Sequence, residues 1–340
     1  MRIAIIGYGG VGRALVELLV NKKEELKEIG LQVIYVIGSK GGIYNPEGID
    51  LASLVEFSRD ERDITKYPNG ASAEVTFHKI LENKDVDLVI ELTPTNKETG
   101  EPGMTHIIKS LEKGFHVATA NKGPILLNYK KLREIAIENN VQLCIGCTSG
   151  GALPTINGGI MDMAGSNVLS IEGVLNGTTN YIIKEMEDGH VSYDEALKKA
   201  QQMGIAETDP SLDVEGWDTA SKLLIITNVI MKEEKTLKDI SVAGITQLTK
   251  EDIIKAKEEG KKFKLVGRSI RKDHTLEMSV KLEKLEKDHP LYGVDGKNKG
   301  VRYTSDTLGD LTMIGGASGV TPAAASILRD LINIHRGYKF

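Results

Sequence analysis

Directly after the first residue the chain runs Arg2-Ile3-Ala4-Ile5-Ile6 into Gly7-Tyr8-Gly9-Gly10-Val11-Gly12. The first run is too uniformly apolar for a strand with one wet face, so it reads as a strand buried on both. Leu15, Leu18, Leu19, Leu26 and Ile29 then recur at helical spacing, predicting a helix over residues 13–29 that stops at Gly30. Strand, glycine turn and helix arrive in that order. Gly7 permits the tight turn, Gly9 lets a pyrophosphate approach the backbone, and Gly12 allows the helix to pack closely on the strand. The helix N-terminus then faces negative charge. Residues Gly7, Tyr8, Gly9, Gly10, Val11 and Gly12 therefore read as the phosphate-binding turn of a dinucleotide-binding domain.

Further apolar runs at 33–37, 86–92, 115–119 and 141–145 alternate with helical patterns at 105–113 and 128–139. That alternation predicts an α/β domain with a Rossmann-type, doubly wound parallel sheet. Past Gly150 the pattern changes, to a long apolar helix at 220–231 and period-two segments at 266–270 and 276–282. These predict a second, α+β domain with a mixed sheet. The tail at 312–334 is rich in Gly and Ala and then helical, and is expected to fold back onto the first domain. The resulting division is 1–150 plus 305–340 for the dinucleotide domain and 151–304 for the second, consistent with a length of 340 residues.

The formal charge of −5 is interleaved along the chain, so no basic face for nucleic acid is expected. Met1-Arg2 leads straight into a strand with no signal core, and no window reaches the ~18 apolar residues of a membrane span. A cytoplasmic protein with no membrane partner is expected. Cys144 and Cys147 lack a second pair to complete a zinc site. They read as small buried hydrophobes, with a switchable disulfide as the alternative.

An NAD site usually ends its second strand with an acid, yet Val36-Ile37 is followed by Gly38-Ser39-Lys40. A hydroxyl and a cation at Ser39 and Lys40 suit a 2′-phosphate. NADP is the expected cofactor, with NAD the alternative.

The chemistry is concentrated further on. Glu207-Thr208-Asp209-Pro210-Ser211-Leu212-Asp213 packs three carboxylates into one short loop, ahead of Asp218 and Lys222. The last two, four apart, share a helical face. On a surface such a pair contributes only about 0.3–0.5 kcal/mol. Here Trp217, Ala220, Leu223, Leu224, Ile225 and Ile226 make the helix apolar around much of its circumference, which buries the pair. A buried lysine is costly without a task, and proton exchange is the task such a group performs.

The run Gly204-Ile205-Ala206-Glu207-Thr208-Asp209-Pro210, with Asp213, Gly216, Asp218 and Lys222, resembles the signature of homoserine dehydrogenases. Similar family motifs follow in family order: Glu91-Leu92-Thr93-Pro94-Thr95-Asn96, Thr119-Ala120-Asn121-Lys122-Gly123-Pro124, Gly151-Ala152-Leu153-Pro154, Asn176-Gly177-Thr178-Thr179-Asn180 and Asp288-His289-Pro290-Leu291. The resemblance implies reversible NAD(P)H-dependent reduction of aspartate 4-semialdehyde to homoserine. It places Lys222 and Lys122 near the reacting oxygen with Asp218 beside them, and Glu207 and Asp213 near the substrate ammonium. A substrate with an ammonium at one end and an aldehyde at the other needs acids and a proton donor, and both are present. Which lysine donates stays open.

Thr93, Pro94 and Thr95 follow one strand and Asn121 and Lys122 another, where ligands bind in such sheets. All five are expected to line the cofactor site. Asn176, Gly177 and Thr178 read either as donors to substrate or as an ordinary turn. The segment 315–322 resembles the family's C-terminal glycine segment that returns to the cofactor, which implicates Gly316 and Thr321. Many family members hold a monovalent cation beside a glutamate, and here that position is Gly146. The carbonyls of Ser149, Gly151 and Leu153 are left as candidate ligands without that charge. The resemblance also implies a homodimer formed through the second domain's sheet. With the chain closing at Phe340, feedback through an appended regulatory domain is not expected. The competing readings are another NAD(P)-dependent dehydrogenase of a small amino or oxo acid, and a redox-sensing protein that binds nucleotide without turnover.

Overall fold

The computed structural model describes residues 1–273 and 275–339. It divides into two compact units, Met1–Ala152 joined by the chain from Gly319 onward, and Leu153–Ser318.

The first unit runs β1 (Arg2–Ile6), α1 (Gly10–Asn21), β2 (Gln32–Gly38), β3 (Gly41–Tyr44), α2 (Leu51–Asp60), β4 (Ala71–Ser72), α3 (Phe77–Asn83), β5 (Leu88–Glu91), α4 (Gly103–Glu112), β6 (His116–Thr119), α5 (Lys122–Glu138), β7 (Leu143–Cys144) and α6 (Cys147–Gly150). Its sheet has the order β4-β3-β2-β1-β5-β6-β7. The five strands β2, β1, β5, β6 and β7 are parallel, and β3 and β4 add an antiparallel edge. Ile3 and Ile5 of β1 join one apolar cluster, with α1, α2 and residues 324–331. Ala4 and Ile6 join another, with Ile80 and Phe115. Both faces are covered, which is why β1 reads as a continuous apolar run. After β1 the chain lays β2, β3 and β4 to one side and then crosses to place β5 on the other. This switch opens a crevice at the carboxyl ends of β1 and β5, where open α/β sheets bind ligands.

The second unit runs α7 (Thr155–Asp162), β8 (Val168–Val174), α8 (Gly177–Gly189), α9 (Tyr193–Gln202), α10 (Ser211–Val214), α11 (Trp217–Ile230), β9 (Ile240–Val242), α12 (Lys250–Glu258), β10 (Lys262–Lys272), β11 (Thr275–Leu285), β12 (Lys299–Ser305) and β13 (Asp310–Gly315). Its sheet has the order β13-β12-β8-β10-β11-β9, antiparallel except where β11 meets β9. Helix α11 lies on one face. A Cβ at Gly267 would stand 3.2 Å from Thr219 of that helix, and the Thr227 and Ser269 hydroxyls are 2.7 Å apart beneath it.

The chain then returns to the first unit as α13 (Val320–His335). Ala324, Ile327, Leu328 and Leu331 make its buried stripe, at the spacing of one helical face. The expected boundary at 305 is displaced to 319, because β12 pairs with β13 from Thr304↔Asp310 to Lys299↔Gly315 and keeps that hairpin in the second unit. Helix α1 is also shorter than expected, ending at Asn21. The next residues alternate Lys and Glu, and of them only Leu26 is buried. Among the described residues no helix is long and apolar enough to cross a membrane.

Candidate active site

In the first unit the glycine turn sits in the crevice at the end of β1. Gly7 has φ +103°, and a Cβ there would stand 2.5 Å from the backbone of Leu92. At Gly12 a Cβ would fall 2.2 Å from the Gly7 carbonyl, so α1 can start this close to the turn only without a side chain. Gly9 has open space around it, as a backbone must where a pyrophosphate approaches. The N-terminus of α13 comes to the same turn, with Val320 Cγ1 3.0 Å from where a Gly10 Cβ would lie. Thr321 is in the first turn of that helix. This cradle fits a dinucleotide.

A cavity of 1130 Å³ extends from the turn. Gly7, Tyr8, Gly9, Gly10, Val11, Ser39, Lys40, Thr93 and Pro94 are among its lining residues. The Tyr8 ring is buried, with the hydroxyl 3.0 Å from Ser58 Oγ and Arg13 above the face. Ser39 and Lys40 form the two-residue tip of the β2–β3 hairpin, closed by the pair Gly38↔Gly41. Lys40 reaches Asp63 at 3.0 Å. The Asp63 carboxyl is pushed down to about 2, first by the Thr65 hydroxyl and then by Lys40. The cavity also takes in Arg62, Phe77, Pro102 and His106, which no motif in the sequence signalled. Thr95 and Asn96 are exposed, and Asn96 instead caps its own loop, accepting from the amides of Glu98 and Thr99. Asn121 is buried and caps α5 by accepting from Gly123 N at 3.1 Å. Lys122 is the first residue of that helix.

In the second unit the acids and the lysine meet at the starts of α8 and α11. Gly216, with φ +92°, lets α10 turn directly into α11. Asp218 thereby falls in the first turn of α11, where the helix dipole favours a negative charge. Lys222 Nζ donates to Asp218 Oδ2 at 2.5 Å and to the Leu175 carbonyl at 2.9 Å. Both side chains are nearly enclosed, at 13% and 14% exposure, so the pair is not the solvated one of a surface helix. Asn176 Nδ2 bridges two carboxylates, donating to Asp213 Oδ1 at 2.6 Å and Asp218 Oδ2 at 2.8 Å. Its Oδ1 meanwhile caps α8 by accepting from Thr179 N at 2.8 Å. Asn176, read in the sequence as a donor to ligand or as a turn residue, here organises the acids. Thr178 is turned to the Ile205 carbonyl. Gly177 lies under the Lys297 carbonyl, where a Cβ would be 3.0 Å away. Glu207 is on the exposed part of the acidic loop. Trp217, the single tryptophan, is partly exposed beside Asp218. Gly316 packs against Leu153 within this unit.

Both cysteines are buried, unbridged thiols, and burial raises the Cys144 thiol well above its ordinary range. The described residues contain no group of three or more His, Cys, Asp or Glu fit to hold a metal ion. Near the candidate cation loop, the Gly146 amide donates to Asp330 of α13 at 3.2 Å, bringing a buried carboxylate from an element that sequence spacing could not connect.

Residues 7–145 match the family model for the homoserine dehydrogenase NAD-binding domain, and residues 154–332 that for homoserine dehydrogenase. The chain belongs to the homoserine dehydrogenase family. A homoserine dehydrogenase of Methanocaldococcus jannaschii is 38% identical over the whole of both chains. An NAD(+)-dependent one of Pseudomonas canavaninivorans is 34% identical, over 98% of this chain and 96% of its own. The crystal structure of a homoserine dehydrogenase candidate from Archaeoglobus fulgidus superposes with a TM-score of 0.87 at 32% identity, covering 98% of this chain and 99% of that one. A hyperthermophilic archaeal homoserine dehydrogenase mutant in complex with NADPH gives 0.84 at 26%, over 99% and 98%. The chain is thus an NAD(P)-dependent oxidoreductase that interconverts homoserine and aspartate 4-semialdehyde.

Proposed function

We propose that Lys222 and Lys122 stabilise and protonate the alkoxide that develops when the aldehyde of aspartate 4-semialdehyde is reduced. The bound dinucleotide supplies hydride to the aldehyde carbon. Asp218 orients Lys222, and Glu207 and Asp213 receive the substrate ammonium. The observation that carries this reading is the enclosed Lys222–Asp218 pair, held from the other side by Asn176. A lysine in so fixed a place delivers a proton along one direction, as general acid catalysis requires. Lys222→Ala and Lys122→Ala are expected to lower kcat by at least about 100-fold in one or both. Near-normal turnover in both would remove these lysines from the chemistry.

NADP is the preferred cofactor in this reading, received by the Ser39-Lys40 hairpin tip and Arg62. The ion pair of Lys40 with Asp63 supports a second reading, in which the lysine's charge is already met and NAD serves as well. The ratio of kcat/KM for NADPH and NADH separates the two. A homodimer is proposed through the face of the mixed sheet turned away from α11. There Asp310, Arg302, Glu172, Arg268 and Glu283, from five consecutive strands, alternate in sign. Light scattering of the purified chain tests that assembly.

A further inference from the structure

One fully buried acid of the first unit takes no part in this scheme. Glu91 ends β5, next to the switch point of the sheet, and its side chain has no exposure at all. An isolated carboxylate in such a place is expensive unless donors surround it. Its Oε1 accepts from Thr93 N at 3.1 Å and from the Thr93 hydroxyl. Its Oε2 lies 3.3 Å from the Thr119 hydroxyl, which also donates to the Glu91 carbonyl at 2.9 Å. Thr119 Oγ1 in turn accepts from Asn121 N at 2.9 Å, while Asn121 Nδ2 reaches the Thr93 carbonyl at 3.2 Å. Gly103 packs tightly here, since a Cβ would stand 2.6 Å from Asn121 Nδ2 and 3.1 Å from Glu91 Oε2. His106, a wall of the cofactor cavity, points Nδ1 at Glu91 Oε1 from 3.6 Å and lays its ring against Phe77.

We propose that Glu91 is a positioning residue for the reaction. Its carboxylate sets both Thr93, at the wall of the cofactor cavity, and Asn121, the cap of the helix that opens with Lys122. The inference rests on the reading of that cavity as the cofactor's seat and of Lys122 as a working lysine. Oε1 must be an acceptor because it takes two hydrogens from a single residue, while the one hydroxyl hydrogen of Thr119 lies nearer the Glu91 carbonyl than Oε2. A glutamine of the same shape must turn its NH2 either against the two Thr93 donors or toward Thr119, whose Oγ1 then has to accept from that amide and from Asn121 N–H together. The first orientation displaces the Thr93 loop, and the second shifts Thr119 and Asn121 in a site that Gly103 already packs tightly.

The test is Glu91→Gln in the full chain, with NADPH binding followed by its own fluorescence in the absence of substrate, alongside steady-state kinetics and melting. The dissociation constant is expected to rise about tenfold and kcat per active site to fall about 10–100-fold, the scale of a misplacement below 1 Å, with KM for homoserine nearly unchanged. A merely structural role would lower the melting temperature and the fraction of active sites but leave those per-site values alone. Values of both within twofold of the parent would overturn the proposal. Should Glu91→Gln fail to fold, Thr119→Val and Thr119→Ser decide it. The valine is expected to weaken NADPH binding severalfold and the serine to stay within twofold, and equal binding by the two would overturn the proposal. If the parent chain binds NADPH but does not oxidise homoserine, the functional reading fails while the binding comparison still tests Glu91.

Discussion

Asn176→Ser isolates the bridge between Asp213 and Asp218 from the capping of α8. Serine is itself a good N-cap and keeps the bond to Thr179 N, while the amide that separates the two acids is lost. Two carboxylate oxygens that shared one nitrogen stand ~5 Å apart, and unit charges at that distance repel by about 3 kcal/mol at an effective dielectric constant of ~20. Each lost charge-assisted hydrogen bond separately amounts to about 1.5–3 kcal/mol, but both end on one atom and overlap with the repulsion, so the figures do not add. A loss of roughly 2–3 kcal/mol is expected, or about 3–4 °C in melting temperature for a chain of this size. Asn176→Ala removes the cap as well and should cost about 1 kcal/mol more. With Asp218 released, Lys222 loses its fixed direction, and kcat/KM for homoserine should drop on the order of 100-fold in both variants. Urea titration and initial-rate kinetics measure the two effects. If Asn176→Ser keeps kcat/KM within threefold of the parent, the bridge does not organise the site and the reasoning is wrong.

The glycine turn separates in the same manner: Gly12→Ala should lose about 1–3 kcal/mol because its Cβ meets the Gly7 carbonyl, and should weaken cofactor binding with it. Gly9→Ala, with open space around it, should melt like the parent yet bind cofactor poorly, so a matching loss of stability would refute the assigned approach of the pyrophosphate. Lys40→Ala is expected to raise KM for NADPH about tenfold and that for NADH much less, from loss of a phosphate partner; equal effects would move the 2′-phosphate site elsewhere. The folded Asp63 carboxyl titrates below its unfolded value, so its contribution to stability is complete above the ordinary carboxylate range and is lost as the pH falls through about 2. In Lys40→Ala, NMR titration should show Asp63 raised but still depressed, because the Thr65 hydroxyl is the larger cause.

Much of this was readable from local pattern. The β1–turn–α1 unit announces itself because sheet burial, glycine conformation and helical spacing agree within about twenty residues. The Asp218–Lys222 pair was legible for a similar reason, since four residues on a helix fix a common face. What escaped depends on contacts that sequence distance hides. The strands β3 and β4 are short and glycine- or serine-bearing, and β13 carries only three apolar side chains, so none gives a periodic signal. Helix α5 begins at Lys122 rather than at 128, because the irregular Asn128, at φ −148°, divides one helix that Pro124 opens near its N-terminus. Glu91 was hidden inside an apolar strand motif, and the reach of Asn176 to acids 37 and 42 residues away has no local signature.

The return of α13 to the first unit has a consequence for how the chain matures. During synthesis the β1–β7 sheet emerges long before residues 320–335, and the second unit is made in between. Until α13 arrives, the side of the sheet bearing Ile3, Ile5, Leu88 and Ile90 lacks the layer that Ala324, Ile327, Leu328 and Leu331 supply. The half of the molecule translated first is therefore the last to be sealed. Its nascent form presents an apolar patch of the kind that chaperones hold and that aggregation exploits.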